Sequence, residues 1–125
     1  SDNLIAEVKK ADYIVIGLPM YNYGIPSQLK AYFDQIARAG ITFKYTEKGP
    51  VGLIEDKPVY LLTTRGGVHK DNGDFEVPYV KEYLSFLGLN SVETIYAEGL
   101  NMGEEITDKA RDAATNAVIT AASQL

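Results

Sequence analysis

Three apolar segments alternate with amphipathic helical segments along this chain, and this alternation constrains its fold most strongly. The apolar segments, residues 13–17, 58–64 and 91–96, predict buried strands. Helical periodicity precedes the first strand and follows each of the three, which gives the order α-β-α-β-α-β-α. Strands connected through helices run parallel with right-handed crossovers, and the helices cover both faces of the sheet. The sequence therefore predicts an α/β fold with a parallel sheet.

Local patterns refine the boundaries of these elements. Residues 13–17 show no polar alternation, which predicts a first strand covered on both faces. The helix from Ser27 is expected to stop at Gly40, a residue suited to a C-cap. Residues 41–45 form a short alternating segment, and residues 46–52 a turn-rich insertion. The last helix, residues 104–124, presents small residues suited to close packing: Ala110, Ala113, Ala114, Ala117, Val118 and Ala121.

Composition excludes several classes of function. The formal net charge of −5 and the lack of a Lys/Arg cluster argue against nucleic acid as a partner. The absence of cysteine excludes disulfides, thiolate metal sites and thiol catalysis, and with His69 as the single histidine we expect no metal site. The chain has no apolar run of about 18 residues and no signal-peptide pattern, so we expect no membrane association and a cytoplasmic location.

The loop after the first strand is the best candidate for a ligand site. Residues 18–27 carry two tyrosines, an asparagine, a glycine and two prolines, a composition suited to a flat aromatic ligand. Open α/β sheets bind ligands at the carboxyl ends of their strands. A second glycine-bearing loop, residues 65–69, follows the next strand. On these features alone, an ordinary strand-to-helix loop is the alternative.

Longer stretches resemble a known family. Residues 19–34 resemble the flavin-binding stretch of flavodoxin-like NAD(P)H reductases. Residues 37–50 are similar to the FMN-dependent NADH-azoreductases, also described as NADH:quinone reductases, and residues 64–71 and 86–88 match them too. The resemblance implies a flavodoxin-like, three-layer α/β/α domain. This chain would supply strands three to five of its 2-1-3-4-5 order, with their helices.

One departure from the family bears on cofactor binding. Family members begin with a strand, a serine-rich phosphate-binding loop, a helix and a second strand, and residues 1–125 contain no match to them. We therefore interpret residues 1–125 as a single, N-terminally truncated flavodoxin-like domain. Because phosphate groups bind the N–H groups of a helix N-terminus, we expect this chain alone to bind FMN weakly.

The resemblance also implies a set of cofactor-binding residues. Asn22 is the most specific, since an amide can meet alternating donors and acceptors, although it could instead hold an Asx turn. His69 would stabilise charge on the reduced flavin, or be an exposed loop histidine. Arg65 could instead form a structural ion pair. The predicted set is Pro19, Met20, Tyr21, Asn22, Tyr23, Thr64, Arg65, Gly66, Gly67 and His69.

Two aromatic residues match positions that wall the family's substrate site. Tyr45 lies in the insertion, and the family completes this pocket across a homodimer interface, which implies a homodimer. Phe86 lies on the third helix, where core packing against Val80 and Leu87 is the alternative.

The implied activity is FMN-dependent oxidoreduction. Hydride would pass from NADH or NADPH to the flavin and then, in the second step of a ping-pong scheme, to a quinone or azo compound. Small planar aromatic molecules are therefore the expected substrates, and no side chain is predicted to be catalytic because the cofactor carries the chemistry. The alternatives are a flavodoxin-type electron carrier, an inactive fragment without the phosphate-binding loop, and a receiver-like or structural module.

Overall fold

The computed structural model describes residues 2–125. The helices within that range are α1 (Asp2–Lys10), α2 (Ser27–Ile36), α3 (Glu76–Leu87) and α4 (Glu104–Ala122). The strands are β1 (Ile14–Pro19), β2 (Phe43–Thr46), β3 (Gly49–Gly52), β4 (Val59–Thr64) and β5 (Val92–Ala97). The predicted alternation of helices and strands is confirmed.

A parallel sheet positions the candidate site. Its strands lie in the order β1-β4-β5, as predicted for strands three to five of a flavodoxin-like sheet. At the carboxyl ends Pro19 lies opposite Thr64, and Thr64 lies opposite Ala97. Because the three strands end in step, the loops that follow them leave from one edge of the sheet.

The main core lies on one face of this sheet. Leu18, Val59 and Leu61 are fully buried there and form one apolar cluster with side chains from α1, α2 and α3. The opposite face carries α4, whose Ala121 is buried and borders a small apolar cavity together with Ile95 of β5. Helices therefore cover both faces, which confirms the three-layer α/β/α prediction.

One expectation about these faces is wrong, and another holds only in part. β1 is not covered on both faces, since Val15 is 53% exposed. The reason is its position at the edge of the sheet, while α4 packs against β5. On the small-residue face of α4, Ala121 is buried and Ala110, Ala114 and Ala117 are half-buried, whereas Ala113 and Val118 remain exposed.

The helix α2 ends at Ile36, before the stop that we expected at Gly40. The hydroxyl of the fully buried Thr42 donates to the carbonyl of Ile36 (2.7 Å) and accepts from the N–H of Arg38 (2.8 Å). These bonds substitute for those of another helical turn. The chain accordingly leaves the helix at Ala37, whose backbone is extended.

Residues 41–52 contain a β-hairpin that the sequence did not reveal. Its strands β2 and β3 pair antiparallel, although glycine and proline at positions 49, 50 and 52 are poor strand formers. The hairpin packs against the end of α3, where a Cβ on Gly52 would lie 2.1 Å from the backbone nitrogen of Gly88. Glycine permits this close approach, so tertiary packing, and not local strand propensity, determines that β3 forms.

Candidate cofactor site

An open cleft of about 280 Å³ lies at the carboxyl ends of β1 and β4. All residues that line the cleft belong to the predicted set: Met20, Asn22, Tyr23, Arg65, Gly66 and His69. The other four members of the predicted cofactor set lie next to these lining residues. Pro19 and Thr64 are paired at the ends of β1 and β4, and Tyr21 and Gly67 are sequence neighbours of residues that line the cleft. The structure therefore brings the two predicted loops together.

A tight turn presents Asn22 and Tyr23 at the cleft. Tyr21 and Gly24 exchange two backbone hydrogen bonds of 2.9 Å, which close the turn. Asn22 and Tyr23 have φ values of 50° and 66°, and positive φ at both central residues is typical of a type I′ turn. Asparagine tolerates this region, but a bulky residue such as tyrosine rarely occupies it. Backbone strain of this kind clusters at binding sites, which supports a ligand-binding role for the turn.

The rings of Tyr23 and His69 connect the two loops. They meet edge-on with their centroids 5.3 Å apart, an arrangement favoured by aromatic electrostatics. His69 is half-buried, and a Cβ on Gly67 would lie 3.2 Å from its Nε2 atom. The imidazole thus packs against its own loop and against Tyr23 at the cleft.

The loop after β5 holds the loop after β4 in place. The N–H groups of residues 99–101 donate to the carbonyl oxygens of residues 65–67, at 2.9 to 3.1 Å. A Cβ on Gly66 would lie 2.5 Å from Nδ2 of Asn101, so a larger residue here would have to displace the exposed Asn101 side chain. The carbonyl oxygens of residues 65–67 therefore already accept hydrogen bonds, whereas the N–H groups of Gly66 and Gly67 have no acceptor among residues 2–125.

Arg65 has a fully buried side chain that pairs with three carboxylates. Its guanidinium nitrogens lie 3.0 and 3.1 Å from the oxygens of Asp74, 3.2 Å from Glu98 and 3.3 Å from Glu76. The side chain of Arg65 therefore forms a structural ion pair, which was the alternative prediction for this residue. Asp74 also accepts hydrogen bonds from two backbone N–H groups in the first turn of α3, and so acts as its cap.

Comparison with known proteins assigns the family. Residues 1–121 match the sequence model of the family described as having a flavodoxin-like fold. This chain belongs to the flavodoxin-like family. The family model spans the candidate site as well as the sheet, so the residues that line the cleft all lie within the matched region.

Two curated relatives of this flavodoxin-like chain are described as FMN-dependent NADH:quinone oxidoreductases. The protein from Saccharophagus degradans is 67% identical over 102 residues, a match that covers 81% of this chain and 49% of the relative. The protein from Cellvibrio japonicus is 60% identical over 106 residues and covers 84% of this chain and 53% of the relative. The chain therefore spans about half the length of the curated relatives it matches.

Solved structures give the same fold. An azoreductase from Bacillus anthracis strain Sterne superposes with a TM-score of 0.90 at 36% identity, covering 99% of this chain and 62% of that chain. An FMN-dependent NADH-azoreductase from Bacillus anthracis strain Ames Ancestor, solved in complex with FMN, gives a TM-score of 0.80 at 29% identity. That match covers 93% of this chain and 58% of the other.

The carboxylates around Arg65 in this flavodoxin-like domain differ in their proton affinity. Burial raises the pKa of Glu76 to about 7, although the nearby Arg65 charge opposes this shift. The Oε2 atom of Glu76 has no hydrogen-bond partner among residues 2–125. Burial also pushes the pKa of Asp74 upward, but hydrogen bonds from Arg65 and from backbone N–H groups outweigh it, so this pKa is lowered. Asp74 is therefore ionised at neutral pH, where Glu76 titrates.

Tyr45 and Phe86 are not among the residues that line the cleft. Both contact Phe43, whose ring centroid lies 5.3 Å from that of Tyr45 and 4.4 Å from that of Phe86. Tyr45 is exposed on the hairpin, and Phe86 is half-buried on α3. Their role in a substrate pocket of this flavodoxin-like chain stays a prediction.

Sequence reasoning missed the acidic partners of Arg65. Glu98 follows β5 directly, and its carboxylate accepts hydrogen bonds from the N–H groups of His69 and Lys70. The sequence did contain a signal for Glu98, because this acidic residue follows one predicted strand and Arg65 follows the neighbouring strand. Asp74 offered no comparable signal, because its distance from Arg65 depends on the path of a polar loop.

Two further findings concern the part of the flavodoxin-like chain that the structure describes. No three His, Cys, Asp or Glu side chains among residues 2–125 are grouped so that they could hold a metal ion. The helices in this range lack the combination of length and apolar character that crossing a membrane requires.

Proposed function

We propose that this chain forms part of an FMN-dependent oxidoreductase that transfers hydride from NADH or NADPH, through the flavin, to quinones or azo compounds. The observation that carries the proposal is the cleft at the carboxyl ends of β1 and β4, whose lining comes entirely from the predicted cofactor set. The descriptions of the Saccharophagus relative and of the Bacillus anthracis protein in complex with FMN support the same chemistry.

The residues at the cleft fit the ring system of FMN. A planar heterocycle needs apolar or aromatic surface along its face and a few placed donors and acceptors at its edge. Met20 and Tyr23 offer the surface. The Asn22 amide makes no hydrogen bond to residues 2–125 and offers both a donor and an acceptor. Gly66 and Gly67 offer backbone N–H donors.

These residues have separate tasks in the proposed holoprotein. FMN itself supplies the hydride chemistry when it is bound. The N–H groups of Gly66 and Gly67, which are fixed in place through their own carbonyls, would stabilise negative charge at the edge of the ring. His69 would add a donor beside them. The turn of residues 21–24 would orient the ring against Tyr23.

The proposal includes the architecture of the whole protein. Residues 1–125 would be the carboxyl-terminal part of a single flavodoxin-like domain, and a preceding segment would hold the FMN phosphate. The protein would act in the cytoplasm as a homodimer, without nucleic acid or membrane. The exposed Tyr45 offers a surface for planar aromatic substrates at such an interface. The half-buried Phe86, which packs on the same buried Phe43 ring as Tyr45, would complete it.

An FMN titration followed by a turnover assay tests the proposal. The 125-residue chain is titrated with FMN and followed by quenching of flavin fluorescence. The same is done with a fusion that adds the segment preceding the matched region in the Saccharophagus relative. We expect weak binding by the chain, tight binding by the fusion, and NADH oxidation by the fusion when a quinone is present.

Each outcome has a definite meaning. Tight binding without steady NADH oxidation would identify an electron carrier instead, and no binding by either form would reject the flavin assignment. Asn22→Ala should weaken FMN binding by the fusion. Asn116→Ala, at an exposed position on α4, is the matched control and should leave binding unchanged.

A further inference from the structure

Glu98 connects a buried ion pair to the backbone of the cleft loop. Its carboxylate is 9% exposed, and Oε2 lies 3.2 Å from Nη1 of Arg65. The same oxygen accepts a hydrogen bond of 2.7 Å from the N–H of His69 and one of 3.1 Å from the N–H of Lys70. One side chain after β5 thus binds two consecutive amides of the loop after β4.

The ion pairs that Arg65 makes with Asp74 and Glu76 help to fix the position of Glu98. Asp74 holds the guanidinium of Arg65 in a bidentate pair, and Glu76 accepts from the same group. A buried guanidinium held in this way has little freedom, so Glu98 is anchored on that side. Hydrogen bonds to an ionised carboxylate are also shorter and stronger than neutral ones. The loop amides therefore meet a fixed, charged acceptor.

The rest of the loop is held by other means. The carbonyls of residues 65–67 are bound by the backbone of residues 99–101, which fixes the segment around Gly66. That backbone pairing stops at Gly67, and Glu98 holds the N–H groups of the two residues His69 and Lys70. The ring of His69 then meets Tyr23 at the cleft.

We infer that Glu98 is a positioning residue of the cofactor site, which fixes the backbone of His69 and thereby places the imidazole beside Tyr23. Glu98 does not line the cleft itself and acts through His69. This inference rests on the proposed function, since it assigns the placed imidazole to a flavin site. The placement of the ring can nevertheless be measured without any flavin.

The first test uses the 125-residue chain without FMN. Amide hydrogen exchange and ring-to-ring NOEs are measured by NMR for the parent chain and for Glu98→Gln. We expect the amides of His69 and Lys70 to exchange at least about tenfold faster in the variant, because a charge-assisted acceptor is lost. The NOE between the rings of Tyr23 and His69 should weaken, while the amides of residues 99–101 should be unaffected.

Two further variants keep the test decisive. Glu93→Gln removes an exposed carboxylate from β5, the strand that precedes Glu98, and should change neither measurement. Glu98→Asp keeps the charge on a shorter side chain, so exchange should be intermediate, and it replaces the glutamine variant if that one does not fold. Equal acceleration at residues 69–70 and 99–101 would mean a general structural role and would overturn the inference.

The second test uses the fusion that binds FMN. Glu98→Gln should raise its Kd for FMN by about tenfold, the effect expected when one charge-assisted contact that orders a binding loop is lost. An unchanged Kd despite accelerated exchange would overturn the assignment to the cofactor site. If the parent fusion binds no FMN, the proposed function fails, and the NOE measurement still decides whether Glu98 places His69.

Discussion

The ring of Tyr23 meets the ring of His69 edge-on, with centroids 5.3 Å apart and planes at 82°. Tyr23 lies in the turn after β1, and His69 lies in the loop after β4. This contact therefore joins the loops of two neighbouring strands at the cleft.

Tyr23→Ala should weaken FMN binding by the FMN-binding fusion by about 3- to 10-fold, because it removes the aromatic surface proposed for the flavin ring. An aromatic pair contributes about 0.5 to 1.5 kcal/mol beyond its buried area. Fluorescence titration measures the Kd. Tyr13→Ala, at another exposed tyrosine that lies before β1 and outside the cleft lining, is the control and should leave the Kd unchanged. Equal effects of the two variants would contradict the prediction.

Glu76 should make the free energy of unfolding decrease as the pH rises from about 4.5 to about 7. Its pKa is raised in the folded state, so the folded chain binds more protons than the unfolded chain across this range. In Glu76→Gln this decrease should be smaller by about 1 to 3 kcal/mol. Asp74 does not interfere, since its lowered pKa affects stability only at more acidic pH.

Urea unfolding at pH 5 and at pH 7.5 measures this dependence. Glu82→Gln, at an exposed position of the same helix, should behave as the parent chain does. A variant at position 76 whose stability falls as steeply as that of the parent would show that Glu76 is already ionised at pH 5.

Gly88→Ala should destabilise the fold by more than about 3 kcal/mol, because left-handed strain and a steric clash add together. Gly88 has a φ of 104°, and a Cβ there would lie 2.4 Å from the carbonyl oxygen of Ile54. Gly40→Ala is the matched control, with a φ of 82° and no atom within 4 Å of its Cβ. It should cost only about 1 to 2 kcal/mol. Chemical denaturation compares the two, and similar losses would rule out the clash.

Thr42→Val should destabilise the fold by about 1 to 3 kcal/mol, since it removes the buried donor to Ile36 and the acceptor for the N–H of Arg38. The substituted side chain has nearly the same shape, so packing should be preserved. Thr120→Val, which removes an exposed hydroxyl from α4, should cost less than about 0.5 kcal/mol. Thermal unfolding measures both variants, and a neutral Thr42→Val would mean that the hydroxyl does not end α2.

The predicted fold agrees with the structure, and many of the predicted site residues lie close together in it, for a common reason. Apolar runs and helical periodicity reflect which face of a segment is buried, and a short window of sequence contains that information. Parallel strands connected by helices then leave few possible arrangements. Asn22, Tyr23, Gly66 and His69 were predicted from their loops and lie together at one cleft because those loops follow adjacent strands.

The errors share a different cause. Thr42 ends α2 through bonds to Ile36 and Arg38, although the helical pattern continues to Gly40. The local sequence pattern does not indicate that a threonine beyond the helix is buried and bonds to the last turn of that helix. The hairpin was missed for a similar reason, since Gly52 is placed by close approach to Gly88.

The sequence by itself determined the order of helices and strands, the parallel sheet, and the composition of the two loops that meet at the cleft. Only the tertiary structure decided where α2 ends, that β2 and β3 form a hairpin, and that Glu98 binds the N–H of His69 from 29 positions away. Burial periodicity is a local property of a segment, and it is readable from neighbouring residues. A hydrogen bond or a close backbone approach between distant residues depends on coordinates that exist only once the sheet and its helices have packed.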